Sequence, residues 1–154
     1  ADGFMTIHVT DSGTVFAGYT DIDTRAAVIQ RVLSTYAPDD LPKLTEEGMN
    51  LFTSIENFGV PVAKLVPFLN LTDEERETYV QEGIPAKADS ATNQLAELKY
   101  WIGEGRRADP GMNFAIKGDA QAPYPVVRDV ITVLQDYNIN RMSLITELED
   151  PPAQ

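Results

Sequence analysis

Few residues in this chain could do chemistry, and their spacing restricts what that chemistry could be. His8 is the only histidine. A histidine-based acid–base or nucleophilic mechanism would therefore rest on one residue near the N-terminus, with no serine or cysteine tied to it by context. It is read as a structural or solvent-facing side chain. The chain contains no cysteine, which removes disulfides, thiolate nucleophiles and cysteine metal ligands. The acidic cluster Asp73-Glu74-Glu75-Glu77 lacks the alternating ligands and central glycine of a calcium loop. It follows Thr72 and reads instead as a capped helix start whose acids favour the helix dipole. Asp21/Asp23 and Glu147/Glu149 are close enough to act as paired carboxylates, but a working pair also needs a cleft and displaced pKa values. Gly103-Glu104-Gly105-Arg106-Arg107 is too short for a phosphate loop and no strand precedes it. Asn70-Leu71-Thr72 matches the glycosylation triplet, a match common by chance. No catalytic residue, metal or cofactor is assigned.

Asp119 and Tyr124 stand out by position. Asp119 closes an alternating stretch ahead of a proline-flanked helix, so its carboxylate can accept amides at the loop or helix entrance. That organising role is weighed ahead of direct contact with a partner. Tyr124 opens the helix and is expected to pack its ring against a sheet, hydroxyl at the rim. Both belong to the stretch that organises the chain, Met112 to Glu147. Met112, Phe114 and Ile116 alternate with Asn113, Ala115 and Lys117, the period of a half-buried strand. Gly118 and Asp119 break the run. Pro123 and Pro125 then fix the start of a helix whose apolar stripe is Val126, Val127, Val130, Ile131, Val133, Leu134 and Tyr137. Asn138 supplies a residue tolerant of the left-handed conformation that closes helices. Arg141 to Glu147 is a second strand, with Met142, Leu144 and Thr146 on one face. Strand, helix and strand on short connections make a βαβ-like unit.

Upstream, Phe4 to Val9 alternates as a first strand. Asp11-Ser12-Gly13 is turn chemistry, and Thr14 to Ala17 returns as a second strand in a hairpin. Asp23 is expected to cap a helix buried through Val28, Ile29, Val32, Leu33 and Tyr36 and ended by Pro38 and Pro42. From about Asp39 to Gly105 the pattern is helical. Leu44 to Phe58 has Thr45 as its cap. Pro61 to Leu69 is a short apolar segment interrupted by Pro67, and Thr72-Asp73-Glu74-Glu75 forms a capping box. Asp89 or Ser90 opens a last helix carrying Leu95, Leu98, Trp101 and Ile102 and ending near Gly103 and Gly105. An unstructured loop of that length is unusual in a compact domain, so the segment is expected to be a packed helical insertion. The predicted fold is α+β. A small mixed sheet of about four to five strands runs β-β-α-insertion-β-α-β, with two main helices on one face. One domain covers 1–147, with the insertion at about 39–105, and 148–154 is a tail containing Pro151-Pro152.

Of 154 residues, 43% are apolar and 23% charged, which places the chain among ordinary globular domains. The net charge of −12 argues against nucleic acid or an anionic membrane surface as the main partner. Between Asp39 and Asp89 there are 11 acidic and 4 basic residues, a net of −7, read as a solvated acidic face ahead of a site for a basic partner. No apolar run approaches the roughly 20 residues of a membrane span, and no signal peptide is visible.

A strand closing on Asp119, Tyr124 opening an amphipathic helix, and a hydrophobic strand ending in Thr146 resemble the C-terminal part of the ExbD/TolR family of biopolymer-transport proteins. The hairpin-then-helix opening is similar too, so the likeness covers 1–38 and 106–147. Asn138-Ile139-Asn140 stands where relatives carry a glycine. Phe58-Gly59-Val60-Pro61-Val62 and Gly83-Ile84-Pro85 resemble segments of longer ExbD-like members. The resemblance implies a non-enzymatic periplasmic domain of a bacterial inner-membrane protein, its single membrane helix lying before Ala1. It further implies an ExbB-like motor subunit as companion through that helix, a homodimer, and a TonB-like partner energised by the proton-motive force. The family's proton-relaying aspartate lies in the membrane helix, so Asp119 does not inherit that role. Strand addition is the expected mode of capture, with Arg141, Met142, Ser143, Leu144, Ile145 and Thr146 as the expected edge and the first hairpin as the other candidate. The insertion is a candidate cover over the sheet. The TolR branch, whose periplasmic domain binds peptidoglycan, is the alternative. A small-ligand-binding α+β module is a third reading from another class.

Overall fold

A computed structural model describes residues 3–146. The expected tail and Glu147 lie outside the described residues. Strands β1 (Phe4–Val9) and β2 (Val15–Tyr19) form the hairpin, followed by helix α1 (Ile22–Tyr36). Helices α2 (Glu46–Ser54), α3 (Val62–Leu69) and α4 (Asp73–Glu77) lead to α5 (Leu98–Ala108). Strand β3 (Asn113–Gly118), helix α6 (Tyr124–Asp136) and strand β4 (Ser143–Thr146) complete the order. The strands form one sheet in the order β2-β1-β3-β4. β1 and β2 are antiparallel, whereas β1–β3 and β3–β4 are parallel. The fold is α+β with a mixed four-stranded sheet, as the alternation predicts.

Period-two alternation splits the sheet into two unlike faces. Met5, Ile7 and Val9 of β1 are buried together with Val15, Ala17 and Tyr19 of β2 and Phe114 and Ile116 of β3. They share a core with Val28, Ile29 and Val32 of α1, Leu98, Trp101 and Ile102 of α5, and Val130, Val133 and Leu134 of α6. Each such side chain contributes about 2 kcal/mol on leaving water. Helix packing therefore fixes the register of the sheet. The opposite face carries Phe4, Thr6, His8, Asn113 and Lys117, exposed or half-buried.

Helix α6 ends as the sequence predicts. Asn138 has φ of 59°, its amide donates to Gln135 O at 2.8 Å, and the Ile139 amide donates to Leu134 O at 3.0 Å. That is a Schellman closure with asparagine in the left-handed position and buried Ile139 as its apolar contact. The caps at Thr45 and Thr72 also stand where expected, the latter as a full capping box.

Several boundaries differ from expectation. Asp21, not Asp23, caps α1, because its carboxylate reaches both the Asp23 amide and the Thr24 hydroxyl. β2 runs to Tyr19, two residues further than predicted. Pro67 does not interrupt α3; burial of Val62, Leu65, Val66, Phe68 and Leu69 outweighs its cost of about 3 kcal/mol. The last insertion helix begins at Leu98, not at Asp89 or Ser90. Asp89 instead bonds the Ala91 amide and exchanges backbone bonds with Gln94, an Asx-type turn that competes with helix. Leu95, predicted on the helix, is 58% exposed. The helix also passes Gly103 and Gly105, where a Cβ would stand 3.0 Å from the Tyr137 hydroxyl and the Tyr19 ring, a tight contact.

Two polar contacts bind α5 into the core. The Tyr19 hydroxyl donates to Trp101 O at 2.7 Å. Buried Glu104 accepts from Arg31 Nε at 2.6 Å, with Arg107 Nε at 3.5 Å. Burial, and then the Glu104 charge, push the Tyr19 phenol well above its ordinary pKa, so it serves here as a donor.

Candidate functional site

The sheet has two margins, and they are treated differently. At β2, Ala17 exchanges two backbone bonds of 2.9 Å with Phe58, and Val15 O accepts from Ile84 N at 2.9 Å. Tyr19 O takes Arg25 Nε at 2.7 Å. The helical insertion therefore seals this margin. Gly18 makes the closure feasible: a Cβ there would stand 1.8 Å from Glu56 O. The first hairpin is thereby removed as the docking edge. The insertion pairs with β2, at the end of the sheet opposite β4, and its helix α5 packs into the core beneath the sheet.

At β4 no described residue pairs with the outer side. Its geometry follows from β3. Asn113 N donates to Gly3 O and Asp119 N to Val9 O, so alternation sends these amides, with those of Ala115 and Lys117, toward β1. Phe114, Ile116 and Gly118 face β4. Ile116 stands opposite Leu144. In a parallel pair, Ser143 and Ile145 then turn their peptide groups to Ile116, while Leu144 and Thr146 turn theirs outward. Leu144 is 63% exposed and Ile145 50%, and their side chains point to opposite faces of the sheet. An unpaired backbone row flanked by apolar side chains on both faces is a template for another extended chain. Arg141 and Met142, expected in this strand, precede the ladder; Met142 packs against the core instead, and Arg141 is exposed.

Asp119 joins the loop before α6 to β1, through a partner that sequence did not reveal. Its Oδ1 lies 2.6 Å from His8 Nε2. The nearby Asp11 amide also favours its charged form, while Asp11 Oδ1 accepts from the Gln121 amide at 2.8 Å. The β1–β2 turn and the β3–α6 loop are thus clasped to each other. The His8 hydrogen bond, with smaller help from the imidazole charge, the Asp11 amide and Lys117, holds the Asp119 carboxyl below its ordinary pKa against partial desolvation. The nearby hydroxyls of Thr10, Ser12 and Thr14 hydrogen-bond one another rather than His8. A groove of about 410 Å³ crosses this face, lined by Thr6, His8, Gly18, Arg25, Glu56 and Lys117. Tyr124 is 70% exposed at the start of α6 and does not pack on the sheet as expected. With Pro123 and Pro125 flanking it, its ring leaves the core to the stripe that begins at Val126.

Among the described residues no group of three or more histidine or carboxylate ligands is placed to hold a metal ion. Among the described residues no helix is long and apolar enough to cross a membrane. Comparison with family models, with curated proteins and with solved structures gave no match.

Proposed function

We propose that this chain is a non-enzymatic docking domain that takes up an extended stretch of a partner protein as a fifth strand on β4. In the ExbD/TolR reading it is the periplasmic domain of an ExbD-like motor subunit. It works as a homodimer beside an ExbB-like subunit, and the stretch belongs to a TonB-like protein energised by the proton-motive force. The observation that carries the reading is the asymmetry of the margins. The β2 edge is closed by Phe58 and Ile84, whereas Leu144 presents its peptide group outward between two exposed apolar side chains. Main-chain bonds would supply affinity, and the side chains opposite Leu144 and Ile145 the selectivity. The net charge of −12 favours approach of a segment with basic flanks.

The test is titration of the domain with a synthetic peptide from the periplasmic linker of a TonB-like protein, beside a pull-down on purified cell-wall sacculi. Saturable peptide binding with shifts confined to β4 and β3 supports the reading. Retention on sacculi without peptide affinity would replace it with the TolR-like, peptidoglycan-binding alternative.

A further inference from the structure

Next to the open margin lies a second feature, a hollow free of carboxylates. The hollow, of about 330 Å³, sits at the N-terminal end of β4. Phe4 and Met142 give it apolar walls, and Asn113, Asn140, Arg141 and Ser143 bring polar groups. It has no carboxylate in its lining. A second carboxylate-free hollow, lined by Gly103, Arg106, Arg107, Pro110 and Tyr137, has its arginines engaged, Arg106 by Tyr137 O and Arg107 by Glu104. The hollow between α2 and α4 includes Glu47 and Asp73, and the groove across the sheet face includes Glu56. Arg141 is exposed and makes no ion pair among the described residues, whereas Arg31, Arg76 and Arg107 each lie against a carboxylate.

We infer that this hollow selects an acidic side chain on the captured strand, with Arg141 as the specificity-determining contact. The inference rests on the proposed strand addition at β4. An added strand aligned with Leu144 and Ile145 runs beside Ser143, which both lines the hollow and begins the ladder. A guanidinium fork meets a carboxylate with two parallel hydrogen bonds, and the Asn140 and Ser143 side chains can complete its shell. The net charge of −12 disfavours further acids, so the recognised segment carries one acidic residue near an apolar pair, with neutral or basic flanks. The single acid sets register. Sliding the strand by one residue would set that carboxylate beside Leu144 and Ile145 and lose the pairing.

A random peptide library displayed internally, with both ends tethered, would be selected against the wild-type domain and against Arg141→Glu. Binders are then checked for protection of the Leu144 amide from hydrogen exchange. The expected wild-type binders carry Asp or Glu at one fixed offset from two adjacent apolar residues. Changing that acid to its amide weakens binding about fivefold, as for an exposed ion pair. Arg141→Glu should select Lys or Arg at the same offset. Binders that protect Leu144 but show no acidic preference, or keep it with Arg141→Glu, overturn the inference while the edge reading stands. Preference only for a free chain end, in the same library displayed with open carboxyl termini, also overturns it. A pool without binders, or with binders that leave Leu144 unprotected, removes the edge reading and the inference together.

Discussion

His8 and Asp119 are 111 residues apart in sequence and meet at 2.6 Å, joining β1 to the loop that follows β3. The parallel register makes this possible. Val9 stands opposite Gly118, so Asp119 emerges one step beyond the pair and can reach back to the histidine two residues earlier on the exposed face. Together with the Asp11–Gln121 bond, the pair fixes the start of the connection to α6.

Asp119→Asn should lower stability by at most about 1 kcal/mol, because the pair remains accessible to water. The pH dependence is more diagnostic. The Asp119 carboxyl titrates below its ordinary value when folded. Its contribution is therefore complete above the unfolded pKa and is lost as pH falls through the lowered folded value. As the pH falls below about 5 the deficit of Asp119→Asn should shrink and vanish once the wild-type carboxyl is protonated. Urea unfolding followed by fluorescence of Trp101, the only tryptophan and fully buried, reads this directly. A deficit unchanged from pH 5 downward contradicts it.

Gly18→Ala should be among the most damaging small substitutions. A methyl group cannot occupy a point 1.8 Å from Glu56 O, so the 56–58 segment must leave β2. The expected loss is about 2 kcal/mol, with two freed edges and increased self-association. Urea unfolding and light scattering check both. A variant with wild-type stability would remove the sealed-margin account.

Arg31→Ala leaves Glu104 buried beside only the more distant Arg107. The expected cost is about 2 kcal/mol, below that of a fully buried pair because Arg31 is half-exposed. Arg31→Ala combined with Glu104→Leu should recover much of it. Equal losses in the single and double variants would show that the carboxylate is not the burdened group.

The parts of the fold legible in sequence were those governed by local pattern. The alternation of Met112 to Lys117, the stripe of α6, and caps at Thr45, Thr72 and Asn138 each depend on residues within a few positions. The α5 boundary was hidden because Asp89 is as good a turn former as a cap, and only the bond to Ala91 decides between them. The His8–Asp119 pair, the Arg31–Glu104 pair and the Phe58 bridge join residues 41 to 111 positions apart, and no local periodicity encodes them. Gly18 carries the mark of a close backbone approach only once β2 is seen to run past it to Tyr19. The β4 edge was foreseeable as a strand; that, among the described residues, it is the margin left unpaired required knowing where the insertion goes.

The central claim is that β4 accepts another chain, and amide hydrogen exchange at Leu144 tests it most directly. In the free domain the Leu144 amide faces outward and should exchange quickly, while the Ile145 amide, turned to Ile116, is protected. On addition of a TonB-like linker peptide at saturating concentration, Leu144 should become protected with Ile145 unchanged. Rapid exchange at Leu144 in the complex, with protection appearing only on helices, would contradict the account.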